Sequence, residues 1–162
     1  MKIEFNVSGL DGVLATLNSL PAEIVSKKGG PVKAALSKGA RFMRDRAREN
    51  LRRSIAINGS RSTGELEKRI IASRGKAPFG GRGERYLVRV KKRDYINAEG
   101  VRTNPLMTAN LLEYGSRHQP ATPWLRPVIP THGEQVIRIV VDDLNKRIQQ
   151  VIAKLAAQNK GR

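Results

Sequence analysis

The chain has 162 residues, no cysteine and a formal net charge of +17 at neutral pH. Its length suits one domain with a core of its own, and the absence of cysteine excludes disulfides and thiolate metal sites and fits assembly in a reducing cytoplasm. No stretch approaches the roughly 20 apolar residues of a membrane span.

The basic charge is concentrated in two regions of the chain. Residues 27–53 carry ten basic and two acidic side chains, and residues 61–102 carry twelve basic and five acidic ones. Such a concentration attracts anions and favours nucleic acid or an acidic protein surface as a partner. The alternative is a solvated surface whose charge keeps the protein from associating.

The first predicted elements are a strand over residues 2–7, where apolar and polar residues alternate, and a short helix after it. A long helix is predicted from Pro31, because proline suits the first helical position. Apolar residues recur along this helix at three- and four-residue steps and form one stripe, which includes Ala35, Gly39, Met43, Ala47 and Leu51. The opposite face carries a row of bases at helical spacing, which we expect to meet an acidic partner: Lys38, Arg41, Arg44, Arg48 and Arg52.

Two strands are predicted next, over residues 69–73 and 86–90, on either side of a basic glycine loop at residues 74–85. Backbone amides of such loops can bind anions, but this one lacks a Gly-Lys-[Ser/Thr] ending and precedes a strand, which disfavours a nucleotide site. We instead predict a flexible loop that orders on assembly or touches nucleic acid through its bases, Arg74, Lys76, Arg82 and Arg85. Residues 94–104 are predicted to form a turn or the end of a hairpin.

Residues 120–127 form a predicted extended arm, because prolines recur there. Pro120, Pro123 and Pro127 each fix their own φ and lack a donor, and each pushes the preceding residue towards extended geometry. The arm also carries the only tryptophan of the chain, Trp124. A segment that cannot complete a hydrogen-bonding ladder but presents a large aromatic side chain has to dock, either on its own core or on a neighbouring subunit.

A second long helix is predicted over about residues 133–157, opened by a capping box of Thr131 and Glu134. Its apolar seam is longer than one compact domain needs, so part of it is expected to face another chain. The tail, residues 158–162, is predicted to fray. The fold class that follows is α+β: two long helices packed on a small, mainly antiparallel sheet, with an extended proline-rich arm across the outside. Residues 1–162 make a single domain.

The residues that could support catalysis or metal binding form no convincing constellation. His118 and His132 are the only histidines, and they lie in proline-rich segments without an acid at ligand spacing. Glu113 is the one candidate for a buried acid, and a salt bridge to an arginine such as Arg126 is preferred over general acid catalysis. We therefore predict a protein that is not an enzyme and that needs no cofactor.

The segment around the arm also carries a family resemblance. Leu112-Glu113-Tyr114-Gly115-Ser116-Arg117-His118, followed by Pro120-Ala121-Thr122-Pro123-Trp124-Leu125-Arg126-Pro127, resembles the signature of the small tail-completion or head–tail joining proteins of tailed bacteriophages, which are related to minor tail protein Z. The helix with Ala-Leu-Ser-Lys-Gly-Ala at residues 35–40 and the Thr-Gly-Glu-Leu at residues 63–66 match in the same order. The resemblance covers most of the chain from about residue 30.

This resemblance implies a structural protein of the virion neck, assembled in the host cytoplasm as a homo-oligomeric ring that we expect to be a hexamer. Its implied partners are the head–tail connector and the tail tube or tail terminator, with genomic DNA passing through the lumen, where the basic helix face could meet it. The implied subunit interface consists of Glu113, Tyr114 and Gly115 with Trp124, Leu125 and Arg126. Two alternatives stay open: a tail terminator that caps the tube, and a free basic nucleic-acid-binding protein.

Overall fold

The computed structural model describes residues 30–59, 62–76, 84–96 and 100–160. The predicted N-terminal strand and short helix, and Arg82 in the glycine loop, lie outside the described residues. The helices are α1 (Pro31–Ile57), α2 (Glu65–Arg69), α3 (Pro105–Tyr114) and α4 (Val128–Lys160), and the strands are β1 (Ile70–Arg74), β2 (Tyr86–Val90), β3 (Tyr95–Ile96) and β4 (Arg102–Thr103).

Helix α1 forms where the apolar stripe predicts it, with Pro31 at its first position. Ala35, Gly39, Ala47 and Leu51 are all buried along that stripe. Gly39 permits a close approach of the two long helices, since a Cβ at this position would lie 2.5 Å from Val140 Cγ2 on α4. Helix α4 packs along α1, so the glycine that weakens α1 as an isolated helix lets α4 lie against it.

The two longer strands form an antiparallel ribbon in which Ile70 pairs with Val90 and Arg74 with Tyr86. One face of the ribbon lies against α1, where Ile70 is fully buried and Val88 and Val90 pack on the core. The short strands β3 and β4 form a second antiparallel pair. The predicted α+β class, with two long helices and a small antiparallel sheet, is therefore confirmed.

Helix α4 begins five residues earlier than predicted and contains Pro130. This proline lies in the first turn, where a backbone N–H has no partner within the helix, so it does not interrupt the helix. The predicted capping box of Thr131 and Glu134 is wrong, because both residues lie inside the helix. The helix continues to Lys160, past the predicted start of the frayed tail, and its 33 residues span about 50 Å.

Two clusters of buried side chains form the core of the described residues. The larger one joins α1, α2, β1 and α3 to the arm and the start of α4, with Leu51, Ile70, Leu112, Trp124 and Val128 among its members. The smaller one lies between the two long helices and consists of Ala35, Leu144 and Ile148. None of the described helices is long and apolar enough to cross a membrane.

Candidate functional site

The proline arm is held to α3 by the carboxylate of Glu113, which accepts hydrogen bonds from three consecutive backbone amides. Glu113 Oε2 lies 2.9 Å from the amide nitrogens of both Trp124 and Leu125. Glu113 Oε1 lies 2.9 Å from the amide nitrogen of Arg126 and 2.9 Å from its Nε. The predicted salt bridge between Glu113 and Arg126 is confirmed, and the carboxylate also supplies the acceptors that the arm could not find in a sheet.

This arrangement depends on how α3 begins and ends. Asn104 caps its N-terminus by accepting a hydrogen bond from the amide of Met107 at 3.0 Å. Gly115 ends it with a φ of 76°, and a Cβ there would lie 2.7 Å from the nitrogen of Ala121. The chain then turns back, and the amide of Thr122 donates to the carbonyl of Leu112 at 2.8 Å. Glycine is therefore required at the point where the arm folds against α3.

The electrostatics of Glu113 follow from the same contacts. Its side chain is almost fully buried, and burial alone would raise its pKa. The hydrogen bonds from the backbone of Leu125, Arg126 and Trp124, together with the Arg126 side chain, outweigh burial and hold the pKa of Glu113 below its ordinary value. The carboxylate is thus an anion whose hydrogen bonds stabilise the fold.

Trp124 does not have the role that the family resemblance implied. Only 2% of its surface is exposed, because the indole packs in the larger core cluster. Its Nε1 donates to the carbonyl of Ala109 at 3.2 Å, so the polar atom of the ring is also satisfied within the chain. The prediction that Trp124 docks on a neighbouring subunit is therefore wrong. The arm folds back on its own chain because Glu113 captures its amides.

The other residues of the implied interface divide between the interior and the surface. Glu113 and Gly115 hold the arm in place, and Leu125 is partly buried against the core. Tyr114 is 66% exposed, and the guanidinium of Arg126 lies over its ring at 4.9 Å from the centroid. Tyr114 and Arg126 are therefore the members that remain available to a partner.

Tyr114 belongs to a row of exposed apolar side chains on α3, which we call the α3 stripe: Met107, Leu111 and Tyr114. Met107, Leu111 and Tyr114 follow at steps of four and three residues, so they lie on one side of the helix. Exposed apolar side chains scattered singly need no explanation, but a contiguous row marks an interaction surface.

A second apolar surface is an open groove of about 390 Å³ between α1, β2 and the start of α4. We call it the apolar groove. Its lining includes Leu36 and Met43 from α1, Val88 from β2, and Val136 and Val140 from α4. None of the three residues of the α3 stripe lines it.

The predicted basic face of α1 is not a free cationic surface. Lys38 pairs with Asp143 on α4 at 2.8 Å, and Arg52 pairs with Glu67 on α2 at 2.6 Å. Arg48 donates to the carbonyl of Ile70 at 2.9 Å. These bases join α1 to α4, α2 and β1, so they contribute to the tertiary structure.

The two other bases of that face differ from each other. Arg44 pairs with its neighbour Asp45 at 2.8 Å. Arg41 is exposed and has no ion-pair partner in the described part of the chain. The carboxylates that pair with Lys38 and Arg52 have lowered pKa values. Hydrogen bonds from Arg147 and Lys38 lower the pKa of Asp143, and a hydrogen bond from Arg52 lowers the pKa of Glu67.

The described bases of the glycine loop also differ in whether they are paired. Arg74 makes two hydrogen bonds of 2.8 Å with Glu84, across the ends of β1 and β2. Lys76 and Arg85 are exposed. A group of bases that we did not single out from the sequence follows Arg85: Arg89, Lys91, Lys92 and Arg93 are all exposed. The signal was present, because residues 85–93 contain five bases and no acid.

The described residues offer no set of His, Asp and Glu side chains that could hold a metal ion. His132 packs edge-on against Phe42, with ring centroids 6.1 Å apart, and His118 is exposed. Comparison with models of protein families, with curated proteins and with solved structures finds no match to this chain.

Proposed function

We propose that this chain is a non-enzymatic structural protein of the virion neck of a tailed bacteriophage, where it assembles as a ring that completes the tail or joins it to the head. The sequence resemblance suggests this class of virion protein, and the α3 stripe is the observation that supports assembly into a ring. A folded chain with its tryptophan buried still leaves three large apolar side chains in one exposed row beside the arm.

A closed ring needs two different surfaces on each subunit, one that meets the other on the next copy. The α3 stripe and the apolar groove form such a pair, since one presents side chains and the other receives them. We infer that the stripe of one subunit lies in the groove of the next. Arg126, held over the ring of Tyr114, is placed at the rim of this contact, where a charged group can stay solvated.

The experiment is to replace Met107 and Tyr114 together by aspartate and to measure the mass of the purified protein in solution by light scattering. The wild type is expected to show a ring, or to form one on isolated tails, and the variant is expected to stay a monomer with an unchanged melting temperature. Both side chains are already exposed in the single chain, so the fold loses little when they are replaced.

A matched control replaces Gln135 and Asn145 by aspartate, two exposed positions of α4 outside the stripe and the groove. This control is expected to assemble like the wild type. The proposal fails if the stripe variant still forms rings, or if the wild type stays a monomer both in solution and when mixed with isolated tails.

A further inference from the structure

Residues 85–93, which are β2 with the residue before it and the three residues after it, carry the densest group of unpaired cations among the described residues. Arg85, Arg89, Lys91, Lys92 and Arg93 are all exposed, and none has an ion-pair partner among the described residues. We call these five residues the β2 strip. We propose that the β2 strip binds the phosphate backbone of duplex DNA, independently of base sequence and independently of whether the chain forms a ring.

The geometry of β2 presents three of these charges, Arg85, Arg89 and Lys91, in order, and Lys92 and Arg93 follow them. Val88 and Val90 face the core, so residues 85, 87, 89 and 91 share the opposite, outward face of the strand. The ladder continues past the strand end, because the amide of Lys91 donates to the carbonyl of Arg69 at 2.8 Å. At about 3.4 Å per residue, Arg85 and Lys91 are about 20 Å apart along the strand. A rigid row of this length spans several phosphates of one DNA strand.

Within the described part of the chain, no carboxylate pairs with the bases of the strip. Across the ribbon, Arg89 faces Ile71, and Leu87 faces Ser73, so no carboxylate lies on the outward face of β1. The nearest acids in the chain are used elsewhere: Glu84 binds Arg74 and Lys33, and Asp94 binds Arg102. This contrasts with α1, where Lys38, Arg44 and Arg52 pair with carboxylates and Arg48 binds a carbonyl.

The composition of the strip favours DNA over an acidic protein. Protein interfaces bury apolar or aromatic anchors and avoid charge at their centre, but the side chains exposed here are all cationic. Tyr86, the aromatic next to Arg85, alternates with the strip and shares the inward side of β2 with Val88 and Val90, and Tyr95 is half-buried. A single strand would need exposed rings on which bases could stack, so the duplex backbone is the better fit.

The test is a salt titration of the full chain against a fluorescently labelled duplex of mixed sequence, followed by anisotropy. Five phosphate contacts predict a slope of about −4.5 for log K against log salt, which is an affinity loss of roughly 500-fold between 50 and 200 mM salt. Light scattering on the same samples reports whether the chain is a ring or a monomer, so that failure of ring assembly and failure of DNA binding are separate results.

The decisive comparison uses two variants with the same net charge. In the strip variant, Arg85, Arg89, Lys91, Lys92 and Arg93 are replaced by glutamine. In the matched control, glutamine replaces five exposed bases that have no ion-pair partner within the described residues: Arg41, Arg53, Arg117, Lys146 and Lys154. The strip variant is expected to lose at least 100-fold in affinity at 50 mM salt, and the control to lose less than about fivefold.

A smaller variant keeps the proposal testable if the strip variant does not fold. Replacing only Lys91, Lys92 and Arg93, which follow the strand, is expected to make the slope shallower by about 2.7. The proposal is overturned if the two five-residue variants lose affinity equally, if single-stranded DNA binds more tightly than duplex, or if polyglutamate competes as well as DNA at equal charge. Absence of salt-dependent binding by the wild type would overturn it as well.

Discussion

Replacing Glu113 by glutamine tests the arrangement that holds the arm to α3. Each carboxylate oxygen accepts two hydrogen bonds, one pair from the amides of Trp124 and Leu125 and the other from the amide and Nε of Arg126. Glutamine has the same shape but only one oxygen, so in either orientation two donors face an NH₂ group. Leaving a buried donor without an acceptor costs about 1–3 kcal/mol, and the variant is expected to lose about 3 kcal/mol of unfolding free energy.

That loss is a large part of the total stability of a domain, which is about 5–15 kcal/mol. For a chain of this size it lowers the melting temperature by about 6–12 °C. Calorimetry measures the temperature directly. Urea unfolding followed by the fluorescence of Trp124, whose amide is one of the donors concerned, measures the free energy. Far-ultraviolet circular dichroism shows whether the helices unfold in the same transition.

The effect should come from the backbone amides more than from the salt bridge. The side chain of Arg126 is 56% exposed, and exposed ion pairs contribute little. Replacing Arg126 by alanine is therefore expected to cost about 1 kcal/mol or less. Glu134, whose side chain is 92% exposed, is the matched control, and its replacement by glutamine should leave the melting temperature unchanged. A Glu113→Gln variant as stable as the wild type would refute the account.

The same carboxylate predicts a pH dependence. Its folded pKa lies below the ordinary value of 4.5, so its contribution is fully present above that pH and is lost as the pH falls through the lower, folded value. The unfolding free energies of the wild type and of Glu113→Gln should therefore converge as the pH falls below about 4.5. A constant difference down to pH 2 would contradict this reasoning.

Two further predictions concern the aromatics of the arm and the contact between the long helices. Trp124→Ala should cost about 3–5 kcal/mol because a buried side chain is removed from the core, whereas Tyr114→Ala should change the melting temperature of the single chain by less than about 2 °C. Equal destabilisation by both would mean that Tyr114 is also part of the core. Gly39→Ala should destabilise the chain by about 1–3 kcal/mol despite alanine's better helix propensity, since the added methyl meets Val140. Adding Val140→Ala should recover part of that loss in thermal melts, and a Gly39→Ala variant more stable than the wild type would show that the helices are free to move apart.

The sequence predicted helices and strands well where one pattern, an apolar stripe or a strict alternation, set their limits. Helix α1 begins at Pro31 and β2 covers Tyr86–Val90, as the stripe and the alternation indicate. The predicted start of α4 is too late, because the spacing of Thr131 and Glu134 indicates a capping box after Pro130, whereas Pro130 lies in the first turn. A proline in the first turn removes no helical hydrogen bond, and sequence alone does not show which turn a proline occupies.

Partnering of charges was less predictable than secondary structure. Glu113 and Arg126 could be paired in advance, because an acid between apolar residues needs a nearby cation. The partners of Lys38 and Arg52 lie 105 and 15 residues away, and nothing local indicates them. From the sequence the row on α1 is therefore expected to be free. The β2 strip, whose members have no carboxylate partner among the described residues, is not set apart, beyond Arg85, from the other bases of the middle segment.

By itself, the sequence determined the α+β class, the start of α1, the extent of β2 and the need for the arm to dock, because periodicity and proline geometry act over a few residues. Only the tertiary structure decided where the arm docks, since both a neighbouring subunit and the chain's own core could accept an indole. The choice depends on Glu113 lying one turn of α3 from Ala109, so that one helix supplies acceptors for the amides of the arm and for the indole nitrogen. That coincidence in space has no counterpart in residue spacing along the chain.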